Sequence, residues 1–345
     1  MAYQTGTATS ASNLLSTVQT FAQANGFTLS GSVLSAGGSH TKLEADTRNI
    51  DHLASDIGNL SYEYIGLSGA LDSGFTTGLS PTYITTLPSS CCFLVPTSEF
   101  PVTYHLFAFN IPDQIFCMVE HGAGYHTWFC FGNVLKSSSL YTGGNFLAAS
   151  YSSFAVNQSR GFTPRDVGFI YGSPNTRPGY GGFFNGGRSA STSSGMNSFI
   201  YSSIDSLGWN PTKVNDSYPY NSVSASPKVC HLIHRQPNEW NSQTVLLSLD
   251  VIQPTATTYM DLGSFNNFRL LRNDFLSDGE IITIGSDKWK TFPICRKDVT
   301  YRSGFNDCEY YSALYAADHP NVINSPAYHG PRNGTFGFAI KYDGP

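Results

Sequence analysis

Ile115-Phe-Cys-Met-Val-Glu-His-Gly-Ala-Gly-Tyr-His-Thr-Trp-Phe-Cys-Phe131 is two aromatic-rich runs joined by a glycine-rich reversal. The runs Ile115 to Glu120 and Thr127 to Phe131 are dense in the side chains that suit a pleated surface. His121-Gly-Ala-Gly-Tyr-His126 supplies the glycines that a tight turn needs. A two- or four-residue loop centred on Ala123-Gly124 predicts a hairpin in which His121 faces His126, Val119 faces Trp128 and Cys117 faces Cys130. Phe116, Met118 and Glu120 then share the opposite face with Thr127, Phe129 and Phe131. Both faces carry large apolar groups, so the hairpin is expected at the centre of a sheet covered on both sides.

The β pattern extends outward from this hairpin. Tyr104 to Phe109 reads as the preceding strand, set off by the turn-forming Asn110-Ile-Pro-Asp113. Further strand signals lie at Val229 to His234, Val245 to Ile252, Phe268 to Leu271, Ile281 to Gly285, Thr291 to Ile294 and Phe336 to Tyr342. Between Tyr151 and Pro227 the apolar pattern thins into Gly, Ser, Asn, Pro and Tyr. Interspersed Phe and Tyr there favour ordered loops over a flexible linker.

Toward the N-terminus one helix stands out, beginning near Ser10 to Ser12 with Ser12 as its expected N-cap, Leu14, Leu15, Val18, Phe21 and Ala22 at helical spacing, and Asn25-Gly26 as its stop. Its apolar face needs a cover, which makes Leu14, Val18 and Phe21 the interface candidates. Phe27-Thr-Leu and Ser32-Val-Leu predict short strands, and Lys42 to Ile50 an exposed strand or turn. The expected fold is therefore mainly β. A small α+β docking module spans 1–85, and a β-sandwich or jelly-roll-like domain spans 86–345, with a loop-rich region at about 151–228.

Composition narrows the function. Charged residues make up 12% of the 345-residue chain, while it holds 33 Gly, 20 Tyr and 24 Phe. Such a surface is wetted by hydroxyls and amides, which suits faces that end up against other subunits. A net charge of -5 with no clustered Lys and Arg argues against nucleic-acid binding. Met1 to Ser12 is polar, and no window reaches the ~18 to 20 apolar residues of a membrane span. Synthesis and assembly in a cytoplasm, without membrane insertion, are the expectation. The seven cysteines, an odd number with Cys91 and Cys92 adjacent, read as reduced and mostly buried.

Few residues suggest chemistry. His121 and His126, if opposite, could hold a metal, but two imidazoles do not complete a site, and Cys117 and Cys130 stand roughly 13 Å further along. A hydrogen-bonded or stacked histidine pair is the expected arrangement. Cys117 and Cys130 could bridge, although free thiols fit reduced synthesis better. His231 and His234 are three apart on an expected strand and point to opposite faces. Asn273 to Glu280 lacks the alternating acidic spacing of a calcium loop. No nucleophile elbow, zinc-protease motif, phosphate loop or dinucleotide fingerprint occurs, so neither catalysis nor a cofactor is expected.

Several segments together resemble virion and tail structural proteins of tailed bacteriophages. Thr5-Gly-Thr-Ala8 followed by the Leu14-Leu15 to Phe21 helix and Asn25-Gly26-Phe27 resembles the opening of such proteins. Tyr125 to Gly132 with Tyr141-Thr-Gly-Gly144 resembles a hairpin motif of the group. Asp261-Leu-Gly to Arg269, Ile281 to Pro293 and Gly337 to Tyr342 are similar to its later module and close. The resemblance implies a structural part of a tail, baseplate or fibre-attachment region, located in the virion. Its partners would be further copies of itself and other tail proteins. The loops at 151–228 suggest, as an alternative, a module that contacts a receptor on the host surface. A tail-associated polysaccharide hydrolase is the second alternative.

Overall fold

The computed structural model describes residues 1–51, 59–75, 91–121, 125–152, 198–206, 208–214, 230–234, 246–254, 258–272, 276–277, 279–293 and 336–344. Among them is one α-helix, α1 (Ala11–Ala24), and the rest of the regular structure is almost entirely strand. The N-terminal half contains β1 (Ala2–Ala8), β2 (Thr28–Ser30), β3 (Val33–Ala36), β4 (Ser39–Asp51), β5 (Asn59–Ala70), β6 (Cys91–Pro96), β7 (Val102–Asn110), β8 (Asp113–His121), β9 (Tyr125–Asn133) and β10 (Leu135–Lys136). Then follow β11 (Gly143–Ala149), β12 (Tyr151–Ser152), β13 (Ser198–Ser202), β14 (Gly208–Val214), β15 (Cys230–His234), β16 (Leu246–Pro254), β17 (Tyr259–Arg272), β18 (Ile281–Ile284), β19 (Asp287–Pro293) and β20 (Phe336–Lys341).

The strands make two sheets. The smaller runs β12-β6-β5-β4-β3-β2, and the larger, fourteen-stranded sheet runs β1-β7-β8-β9-β11-β13-β14-β15-β16-β17-β20-β19-β18 with β10 alongside β17. The larger sheet folds back on itself at β14 and β15, where Thr212 to Val214 pair in parallel with Cys230 to Leu232. Its first half forms a central layer and its second half a distal layer. Rings close the gap between them: Phe116 stacks on Phe268 at 6.1 Å, Phe146 meets Phe265 edge-on at 4.9 Å, and Phe107 meets Phe292 at 5.9 Å.

The other face of the central layer receives α1 and the smaller sheet. Leu106, Ile115, Cys117, Val119, Phe129, Phe131 and Leu147 share one core with Leu14, Val18 and Phe21 of α1 and with Leu43, Ile65, Leu67 and Phe93. Gly69 permits a close approach of these layers, since a Cβ there would lie 2.6 Å from Leu147 and 2.7 Å from Trp209. The mainly β, layered architecture agrees with the sequence, and the central hairpin is covered on both faces.

The hairpin register differs from the expected one. β8 pairs with β9 so that His121 opposes Tyr125, Cys117 opposes Phe129, and Phe116 opposes Cys130. Three residues, not two or four, separate the first paired positions, and a one-residue slip exchanges the faces of a strand. Gly132 fixes the far end of this pairing. It has φ +134°, and a Cβ would meet the Asp113 carbonyl at 2.2 Å, so only glycine fits.

Two other expectations change. The helix is capped by Ser10, whose Oγ accepts from Asn13 N at 3.0 Å, two residues before the expected cap. The cause is tertiary, because Ala11 N also donates to Glu63 Oε2 of β5 at 2.5 Å, placing a carboxylate at the positive end of the helix. The division expected near residue 85 does not divide the core. β1 pairs with β7 in the large sheet, while β6 and β12, both beyond residue 85, pair within the small one.

Candidate functional site

The two histidines singled out from sequence lie on opposite faces of the central layer. His121 sits on the face toward the helix, 3% exposed, and its Nδ1 is hydrogen-bonded to the Glu99 carboxylate. His126 faces the distal layer, 2% exposed, with its ring 6.3 Å from that of Phe292. They cannot share a metal ion, and the proposed histidine pair is withdrawn. Among the described residues no three His, Cys, Asp or Glu side chains gather as metal ligands.

The same change of register separates the thiols. Cys117 points into the helix-side core and Cys130 away from it, both fully buried, so no disulfide can join them. Burial pushes both thiols well above their ordinary pKa, which leaves them protonated and poor nucleophiles. β15 is a strand, as the sequence indicated for His231 and His234. Of the loop-rich region expected at about 151–228, residues 153–197, 207 and 215–228 lie outside the described residues, while Ser198–Ser202 and Gly208–Val214 are strands and not loops; 273–275 and 278 in the Asn273 to Glu280 turn also lie outside the described residues.

Leu14, Val18 and Phe21 are also reassigned. They are 0%, 0% and 6% exposed and covered by the chain's own sheets, so the apolar helix face is core and not a docking surface. What α1 shows outward is Ser12, Asn13, Ser16, Thr20 and Gln23. Ser16 donates to Ser12 O, Thr17 to Asn13 O and Thr20 to Ser16 O, at 3.1, 2.9 and 2.9 Å. With these hydroxyls turned onto helix carbonyls, the exposed surface presents methyl groups and amides and no charge.

Sequence reasoning missed the most concentrated chemistry in the described structure, at the free end of the two-layer sandwich. Tyr3 of β1 and His105 of β7 are joined by a 2.7 Å hydrogen bond between the hydroxyl and Nδ1. Lys290 of β19 places its ammonium 5.7 Å from the Tyr3 ring and 5.5 Å from the Tyr342 ring. Burial, reinforced by the Lys290 charge, lowers the His105 pKa to about 4. Burial likewise lowers Lys290 and raises Tyr3. At neutral pH the imidazole hydrogen-bonded to the phenol is therefore neutral, and the group ties β1 to the distal layer. No periodic signal marks it, because its members come from three strands far apart in the chain.

A second buried polar group joins the layers through amides. Asn267 Nδ2 donates to Gln114 Oε1 at 3.0 Å, and Gln114 Nε2 donates to Asn133 O at 2.8 Å. Asn145 Nδ2 donates to Asn133 Oδ1 at 3.1 Å, and Asn133 Nδ2 reaches Ala36 O of the small sheet at 3.2 Å. These bonds cross all three layers and hold them in one relative position. Both groups tie strands of different layers together.

Comparison with known protein families finds no family model that matches the chain, and comparison with curated proteins finds no match. No helix of the described residues is long and apolar enough to cross a membrane.

Proposed function

We propose that this chain is a structural subunit of a tailed-bacteriophage particle, placed in the tail or baseplate and working through contact with its own copies and with other tail proteins. The observation that carries the subunit role is the exterior. Charged side chains are scarce along the chain, and the outward face of α1 carries none. Beneath that exterior, aromatic packing and amide bonds across three layers make a stiff body. Stiffness with weak surface hydration suits a part that is enclosed by neighbours. The virion and tail assignment rests on the resemblance of the ordered segments from Thr5 to Tyr342.

In this reading the protein performs no catalytic step and carries no cofactor. The test is mass spectrometry of purified particles, followed by immunogold labelling to locate the chain. Stoichiometric presence in the tail region is the expected result. A chain recovered only free in the lysate, with particles complete without it, overturns the proposal.

A further inference from the structure

The sandwich is closed on one side and open on the other. At β14 and β15 the central and distal layers join by parallel pairing. At the far side the central layer ends in β1 and the distal layer in β18. Among the described residues nothing pairs with the outer edge of either strand. The two edges lie close together, because Lys290 opposes Ile281 of β18 in the ladder while its ammonium reaches the Tyr3 ring of β1.

Exposed sheet edges are ordinarily guarded by a lysine, a proline, a bulge or short length. β1 has seven residues, Ala-Tyr-Gln-Thr-Gly-Thr-Ala, with no charge, no proline and an unbroken register against β7. β18 is Ile-Ile-Thr-Ile, also uncharged, and its Ile281 and Ile284 are 42% and 46% exposed. Thr5 and Thr7 of β1 are exposed as well. Apolar and hydroxyl side chains thus flank two uncharged edges, the longer β1 and the short β18, on one side of the molecule.

We infer that this open side is the contact through which two copies of the chain pair, β1 with β1 and β18 with β18, about a two-fold axis normal to the layers. Such an axis reverses strand direction while keeping each layer in its own plane. Both edges are therefore extended antiparallel at once, and the contact is self-complementary.

The sequences fit self-pairing. With Thr5 on the axis, Ala2 meets Ala8, Tyr3 meets Thr7 and Gln4 meets Gly6, so no charges oppose each other. In the distal layer, with Thr283 on the same axis, Ile282 meets Ile284, so no charges oppose each other there either. The inference deepens the proposed subunit role by naming the surface and the partner, and it rests on that reading only in taking self-contact as the working mode.

The test is sedimentation equilibrium of the full chain, alone and as Thr5→Lys, Thr5→Glu and Ile284→Lys, with folding verified by circular dichroism. Wild type is expected at twice the 37.5 kDa chain mass. Thr5→Lys places two ammonium groups opposite each other on the axis and should raise the dimer Kd about a hundredfold, the scale of a like-charge contact in an interface. Thr5→Glu should do the same, and an equimolar mixture of the two should recover the dimer. Both lose the same Thr5 bond to the Tyr104 carbonyl, so recovery reports pairing and not folding.

Ile284→Lys tests the second edge independently and should also weaken the dimer. A monomeric wild type, a dimer indifferent to Thr5→Lys and Ile284→Lys, or a Lys and Glu mixture that stays monomeric overturns the inference. A dimer with this dependence, in a protein absent from particles, would overturn the proposed function alone. A particle protein that is monomeric when purified would overturn the dimer alone.

Discussion

The two faces of the central layer are buried alike but built from different materials. Toward α1 and the small sheet the contacts are mostly apolar, with Leu106, Ile115, Cys117, Val119 and Leu147 meeting leucines, isoleucines and the helix, and the exceptions are buried His121 against the Glu99 carboxylate and Glu63 at the start of α1. Toward the distal layer the face is aromatic and carries polar groups. Phe107, Phe116 and Phe146 lie among Phe265, Phe268, Phe292 and Phe338, and between them stand His105, Gln114, Asn267 and Lys290. An apolar contact has no preferred register and no response to pH. Hydrogen bonds and a buried imidazole fix a relative position and make it sensitive to protons. The helix side therefore supplies bulk stability, and the distal side supplies alignment and a weak point in acid.

Equivalent truncations test whether both faces are packed equally. Phe116→Ala and Phe129→Ala remove fully buried rings from opposite faces. Each should destabilise by about 3–5 kcal/mol in urea unfolding. A loss near 1 kcal/mol for one of them would show that its face is loosely filled and would break the comparison.

Acid should weaken the distal side through His105. His105 titrates near 4 in the folded chain against an ordinary 6.5. Between those values the unfolded chain binds more protons, so stability falls as pH drops below 6.5, and the loss is complete below about 4. The shift corresponds to about 3 kcal/mol. The difference in unfolding free energy between wild type and His105→Phe, followed from pH 7 to pH 4, should show that loss in wild type only. Lys290→Met should move the His105 NMR titration upward, since it removes a neighbouring positive charge; an unmoved titration would remove Lys290 from the account.

Smaller effects belong to the helix side. Glu63→Ala deletes the carboxylate at the start of α1 and should cost about 1 kcal/mol in thermal or urea unfolding. Thr20→Ala, on the exposed face, should change stability by no more than about 0.5 kcal/mol. A larger loss would mean that this face packs against something even in the isolated chain.

Much of the layered plan was legible in local pattern. The strands around the hairpin, the single helix and the double-sided burial of β8 and β9 follow from runs of β-branched and aromatic residues. β1 was not legible, since Ala-Tyr-Gln-Thr-Gly-Thr-Ala is polar and joins β7 about a hundred positions away. Its burial depends on that partner. β5 was not singled out either, because its glycines and serines interrupt the apolar run, and its place against the central layer shows only in Gly69 beside Leu147 and Trp209.

By itself the sequence determined the helix and many of the strands, and that the central hairpin is buried twice. Those outcomes depend on spacing and side-chain type over a few neighbouring residues. Only the tertiary structure decided which face each side chain takes, what covers α1, and which edges stay open. A loop of three residues instead of two or four sent His121 and His126 to opposite sides, because strand side chains alternate with a period of two. Likewise a helix face that local pattern marks only as apolar found its cover inside the same chain, and among the described residues the charge-free outer edges of β1 and β18 are unpaired.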